Sequence, residues 1–177
     1  IKANPFLIPS LMPIVDKFEV CSPGELEICR KYKVPGEKIL FSGVVKTKED
    51  IAKAVSYPVD VITLESEQHW KMLKEVLTEN SKGCGCGNVK IMPRLSSGAQ
   101  FGMEKREVFQ IVDECKTMRG VWVEGIHYFT GTQKKGKQYE KELNLALDVI
   151  QELKDEFELE DIILEYGPGL AVPYFMG

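Results

Sequence analysis

The chain has 177 residues, 44% of them hydrophobic and 28% charged, which fits one globular domain with an ordinary core and excludes a disordered or fibrous protein. A net charge of −4 and a pI near 5.4 argue against a nucleic-acid partner, which would need clustered cations; the basic run Lys134-Lys135-Gly136-Lys137 reads as a solvated loop. No run approaches the roughly 18 apolar residues of a membrane span, so no membrane partner is expected, and cysteines without a framework spacing point to a reducing, cytoplasmic setting.

The first strand is expected near Ile1, running into Lys2-Ala3-Asn4-Pro5. Taken alone, Lys2 reads as a solvated lysine at a terminus. Further strands are expected at Phe18 to Cys21, Lys38 to Phe41, Val59 to Leu64, Val89 to Leu95, Val121 to Tyr128 and Asp161 to Tyr166. Between them, apolar residues recur at helical spacing, as in Val108, Ile111, Val112 and Cys115, or Leu143, Leu147, Ile150 and Leu153. Ser22-Pro23-Gly24-Glu25 supplies a capping box with proline at the first helical position, and Thr47-Lys48-Glu49-Asp50 is a weaker version of it.

Strict β/α alternation implies a parallel sheet, closed into a barrel or open and doubly wound. About seven strand candidates are present, one short of the eight that close a barrel. Cys21, Cys29 and Cys115 are expected to pack as small apolar residues. Cys84-Gly85-Cys86 lacks a second ligand pair and reads as a glycine-rich surface loop, so no metal is expected. His127 reads as a hydrogen-bonded core histidine and His69 as an exposed one. Arg94 is open between facing a ligand and pairing with Glu65.

In a barrel, functional groups collect where strands end and loops begin. Five segments fit that place: Lys2-Ala3-Asn4-Pro5, Glu19 to Glu25, Arg94 through Phe101-Gly102-Met103, Gly125 to Gln133, and Glu165 to Leu170. In this order and spacing the chain resembles the pyridoxal-phosphate-dependent decarboxylases of the alanine-racemase fold, the group of diaminopimelate, ornithine and carboxynorspermidine decarboxylases. Ser22-Pro23-Gly24-Glu25, Phe101-Gly102-Met103 and Gly131-Thr132-Gln133 are most similar to the diaminopimelate decarboxylase versions.

The resemblance implies an incomplete (β/α)8 TIM barrel with pyridoxal 5'-phosphate as cofactor. It makes Lys2 the Schiff-base lysine, its pKa depressed by burial beside the cofactor. Gly167 and Gly169 would form the phosphate loop, and Thr132 would add a hydroxyl to the same phosphate. Phe129 stands where the family stacks a histidine on the pyridine ring, Pro168 replaces a loop glycine, and Glu19 replaces an aspartate. Arg94 and Glu19 are further cofactor-site candidates.

The expected reaction is decarboxylation of a small amino acid, in a protein that is a homodimer when intact. Residues 1–177 would be a single partial barrel, without the last strand and the carboxyl-terminal β-domain, and inactive alone. Two alternatives stay open: a pyridoxal-phosphate-binding regulatory or degenerate homologue without turnover, and a barrel unrelated to this cofactor.

Overall fold

The computed structural model describes Lys2, residues 4–80 and residues 88–173. The strand expected at Ile1 and the Cys84-Gly85-Cys86 loop lie outside the described residues. A 3-10 turn, Pro5–Leu7, leads into a short helix α1 (Ile8–Leu11); there follow β1 (Phe18–Val20), α2 (Pro23–Lys31), β2 (Ile39–Phe41), α3 (Lys48–Ser56), β3 (Val61–Leu64) and α4 (Glu67–Asn80). Then come β4 (Val89–Leu95), α5 (Lys105–Lys116), β5 (Val121–Val123), β6 (Gly125–Phe129), α6 (Gln138–Phe157) and β7 (Ile163–Gly167).

Every strand pairing is parallel, in the order β1-β2-β3-β4-β6-β7 with β5 also on β4. This is an incomplete (β/α) barrel. Local signals set its joints. Ser22 caps α2 by accepting from the Glu25 N–H at 3.2 Å, and Glu25 reaches back to the Cys21 N–H at 2.9 Å. The box at α3 is the fuller one, with Thr47 and Asp50 each accepting from the other's backbone. In α5 the expected stripe of Val108, Ile111, Val112 and Cys115 is buried. In α6 the buried stripe is Ala146, Val149, Ile150, Leu153 and Phe157, leaving Leu147 46% exposed, against expectation.

The single strand expected over Val121 to Tyr128 is two. Glu124 breaks it: its N–H donates to Ile91 O at 2.9 Å and its carbonyl accepts from Ile163 N at 3.0 Å. The chain thereby shifts from the first half of β4, where Val89 to Ile91 face β5, to its last residues, where Arg94 and Leu95 face β6.

The two-residue period of the strands sorts side chains onto two faces. Ile62, Leu64, Ile91, Leu95, Ile126 and Tyr128 enter the main core with helix residues such as Leu73, Ile111 and Leu153. Leu40, Val61 and Met92 form a separate apolar cluster on the inner face. Around that cluster the inner face is polar at both ends. At the start of the strands Lys90 bridges Asp60 at 3.2 Å and Glu124 at 3.1 Å, and Lys17 also pairs with Asp60. At the carboxyl end lie Thr63, Glu65, Arg94 and His127. Stacked layers of this kind are what fill a barrel interior.

Candidate functional site

The carboxyl ends of the strands enclose a cavity of about 560 Å³ whose lining includes Lys2, Glu19, Cys21, Glu65, Arg94 and Phe101. His127, Phe129, Glu165, Tyr166 and Gly167 complete its wall with Ser42, Gly43 and Val44. Another cavity, of about 540 Å³, lies between α2 and α3 on the outside; of its charged residues Glu27 and Arg30 pair with each other and Lys53 lies 4.0 Å from Asp50, so they do not converge on a ligand.

Arg94 comes to the cavity because β4 alternates: Met92 packs in the inner apolar layer, and the next residue on that face is Arg94. Of the two readings left open for Arg94, the pairing with Glu65 is present. Its Nη1 donates to Glu65 Oε2 at 2.7 Å, and it lines the cavity. The guanidinium also lies 5.6 Å from the ring centroids of both Phe101 and Phe129, so two aromatic faces hold its plane.

Phe129, the last residue of β6, is 36% exposed on the cavity wall. A β-carbon on Gly167 would lie 2.5 Å from its ring, so a glycine there lets β7 pass beside the aromatic. Beyond the strands, Gly169 has φ +61, and a β-carbon on it would fall onto the Gly131 carbonyl oxygen. That contact presses the loop after β7 against the loop carrying Thr132. The bonds Lys134 N to Gly169 O at 2.9 Å and Ala171 N to Lys134 O at 3.0 Å fix the crossing. Thr132 is exposed and stands beside the cavity, outside its lining.

Glu142 of α6 ties the loop after β6 to the end of β7. It accepts from Thr130 Oγ1 at 2.6 Å and from the Tyr166 hydroxyl at 3.1 Å, and it pairs with Lys134. Burial opposes its ionisation, but the bonds from Lys134, Thr130 and Tyr166 outweigh it and hold the carboxyl below its usual range.

Several expectations are corrected. Lys2 is exposed at the cavity edge and lacks the burial foreseen for it, because it sits in the turn before the first 3-10 helix. His69 is buried, 5% exposed, because its Nδ1 turns inward to accept the Glu65 N–H at 3.2 Å. Burial first, and then Lys46, lowers its pKa to about 4. His127 is buried as expected, yet its Nδ1 has no protein partner and lies 4.0 Å from Glu65 Oε1. Cys29 and Cys115 are buried, whereas Cys21 is half-buried on the cavity wall with its thiol 3.7 Å from Glu19 Oε1. Burial, then Glu19 and Glu25, push that thiol up to about 11.

Two residues escaped the sequence reading. Glu165 lies two positions before Gly167, and a carboxylate inside an apolar strand was the available signal. Lys46 is 4% exposed, its Nζ donating to Gly43 O at 2.6 Å and Thr63 Oγ1 at 3.2 Å. Burial lowers its pKa to about 8 although Glu65 pulls the other way.

Four buried atoms of the cavity layer have no hydrogen-bond partner among the described residues: Glu65 Oε1, Arg94 Nε, His127 Nδ1 and Glu165 Oε2. Such atoms are costly unless something bonds them. Among the described residues, no group of three or more His, Cys, Asp or Glu is arranged to hold a metal ion. The cavity therefore suits a flat polar ligand with an anionic end: an amine and aromatic faces at its wall, donors and acceptors on its floor, and a tight glycine crossing beside it.

The family model described as "Pyridoxal-dependent decarboxylase, pyridoxal binding domain" matches residues 3–176. The diaminopimelate decarboxylase of Methanocaldococcus jannaschii is 29% identical over 171 residues, covering 89% of this chain and 39% of that protein. The diaminopimelate decarboxylase of Aquifex aeolicus is 25% identical over 183 residues, 97% of this chain and 43% of that one. Among solved structures, AQ1208 from Aquifex aeolicus superposes with a TM-score of 0.80 at 25% identity, over 97% of this chain and 41% of that one. The M. jannaschii diaminopimelate decarboxylase gives 0.83 at 24% identity, over 98% of this chain and 43% of that one, a likeness of fold. The chain thus spans about two fifths of the length of the proteins it matches.

Proposed function

The chain belongs to the pyridoxal-dependent decarboxylases, matching their pyridoxal-binding domain, and on that premise we propose that the whole protein decarboxylates a small amino acid of the diaminopimelate kind. One observation carries the reading: Lys2, Arg94, Phe129 and Gly167, from four separate segments, line one cavity at the carboxyl end of the strands.

The residues fit pyridoxal phosphate on their own chemistry. The unpartnered floor atoms offer both donors and acceptors to a substituted pyridine. The Gly169 crossing brings backbone close enough for a phosphate to approach, and Thr132 stands exposed beside it. When bound, the cofactor supplies the electron sink for loss of carbon dioxide.

The chain's own part is holding and orienting. Lys2 would hold the cofactor aldehyde covalently; its place at the cavity edge lets the amine reach in. Phe129 would lie against the ring while Arg94, braced by Glu65 and by the Phe101 ring, keeps the aromatic wall in place. Gly167, Gly169 and Thr132 would receive the phosphate, and Glu142 holds their two loops in register. Glu19, exposed at the cavity, would face the substrate side. By the same likeness the intact protein would be a cytoplasmic homodimer; among the described residues, no helix is long and apolar enough to cross a membrane.

A second reading, cofactor binding without turnover, is favoured by Phe129, which presents a ring face and no proton donor. Adding pyridoxal phosphate to the whole protein, of which these residues span about two fifths by the length of the relatives, separates the two. A near-visible absorbance band that Lys2→Ala abolishes, with release of carbon dioxide from diaminopimelate, ornithine or carboxynorspermidine, supports decarboxylation. The band without carbon dioxide supports the binder, and absence of the band defeats both.

A further inference from the structure

Four successive segments each place one ionisable side chain at the same height of the inner face. Arg94 is the register partner of His127, and His127 of Glu165; Leu64 opposite Pro93 puts the next residue, Glu65, beside Arg94. The row runs acid, base, imidazole, acid. Only its first pair is closed, Arg94 Nη1 to Glu65 Oε2 at 2.7 Å.

Glu165 is the member left without a counter-charge. Its Oε2 is shielded from solvent with no hydrogen-bond partner among the described residues. The groups around it are Glu19 from β1 and Glu65 from the end of β3, both of its own sign, with Arg94 already committed to Glu65. His127 on the neighbouring strand cannot serve as a cation, because burial, then Arg94 and Lys46, hold its pKa near 4. Lys46 is committed to Gly43 and Thr63, and Lys2 is exposed at the rim. Glu165 is half-buried, and a carboxyl whose Oε2 is shielded from solvent beside like charges is relieved most simply by a proton.

We propose that Glu165 lines the cavity as a hydrogen-bond donor, offering an O–H to the ring-shaped ligand, instead of as a carboxylate. The inference rests on the cavity being the pyridoxal-phosphate site. Burial in the first place, with Glu19 and Glu65 adding to it, raises this carboxyl to about 7. Beside it, neutral His127 is free to accept or donate, so the floor presents one fixed donor in Arg94, one fixed acceptor in Glu65 and an adaptable pair between them and β7.

The test uses pyridoxine 5'-phosphate, whose alcohol in place of the aldehyde removes any part for Lys2. Its affinity is measured by calorimetry from about pH 6 to pH 9 on the wild type and on Glu165→Gln, in which an amide donor persists at every pH. Relative to Glu165→Gln, wild-type affinity should fall about fivefold from pH 7 to pH 8 as the donor proton is lost. Equal pH profiles, or a glutamine variant weaker throughout, would overturn the proposal.

Infrared spectra of the unliganded protein supply a readout that a packing role would not move. A protonated-carboxyl C=O absorption should be present at about pH 6, fade by about pH 8 and be missing in Glu165→Gln; its absence from the wild type overturns the donor assignment. If that absorption is present but neither protein binds the phosphate ester at any pH, the cavity is not the ring site and the donor role falls with it.

Discussion

The guanidinium of Arg94 meets Glu65 Oε2 at 2.7 Å, with both side chains under a tenth exposed, while Arg94 Nε and Glu65 Oε1 have no hydrogen-bond partner among the described residues. The pair therefore does two things at once: each charge is neutralised, and each residue keeps one atom for a ligand. Replacing either partner alone leaves the other buried and uncompensated. Glu65→Leu and Arg94→Leu should each cost about 3–5 kcal/mol in urea unfolding. The double substitution should cost less than the sum of the two, since it strands no charge. Additive losses would show that the pair is not coupled.

The acid limb of stability should carry the mark of the two buried histidines. His127 and His69 have pKa values lowered from 6.5 to about 4, so the folded state binds fewer protons than the unfolded one. Their contribution is complete above pH 6.5 and is lost as pH falls towards 4. Glu165, raised to about 7, has the opposite sign: its contribution is complete below about pH 4.5 and is lost as pH rises through 7. His127→Gln should flatten the fall in unfolding free energy between pH 7 and pH 4 by up to about 3 kcal/mol. A variant with the wild-type acid slope would contradict this.

Gly169→Ala tests the loop crossing. The residue has φ +61 and no room for a β-carbon beside the Gly131 carbonyl, so the loops after β6 and β7 must part. Pyridoxal-phosphate affinity should drop at least about tenfold, with a stability loss of about 1–3 kcal/mol from local strain. Unchanged affinity, measured by the absorbance titration, would remove the crossing from the phosphate site.

Glu142 acts on the same crossing from a distance. It contacts Thr130, Lys134 and Tyr166 and does not line the cavity. Glu142→Gln keeps its size and weakens all three bonds, so it should lower phosphate-ester affinity severalfold while costing about 1–2 kcal/mol of stability. Because the folded carboxyl lies below its usual range, its stabilisation is present above about pH 4.5 and lost as pH falls. The variant and the wild type should converge in acid.

The fold was legible because the evidence for it is periodic. Apolar strand runs alternate with helix stripes, and the box at Ser22 and the stripe from Val108 to Cys115 stand as written in the sequence. The break at Glu124 was not legible, since Val121 to Tyr128 reads as one strand and only its hydrogen bonds to Ile91 and Ile163 interrupt it. The site segments were visible as loop motifs at strand ends. Residues buried against type were not. His69 sits among the charges of α4, and nothing local foretells that its ring accepts the Glu65 N–H. Lys46 beside a helix cap likewise gives no sign that its ammonium turns into the barrel. Glu165 was passed over because the glycines after it carry the recognisable pattern.

Leu40, Val61 and Met92 lie between two ionic assemblies, one of Lys17, Asp60, Lys90 and Glu124 and the other of Glu65, Arg94, His127 and Glu165. None of these three side chains can take up or pass on a proton, so the layer they form offers no relay between the two assemblies.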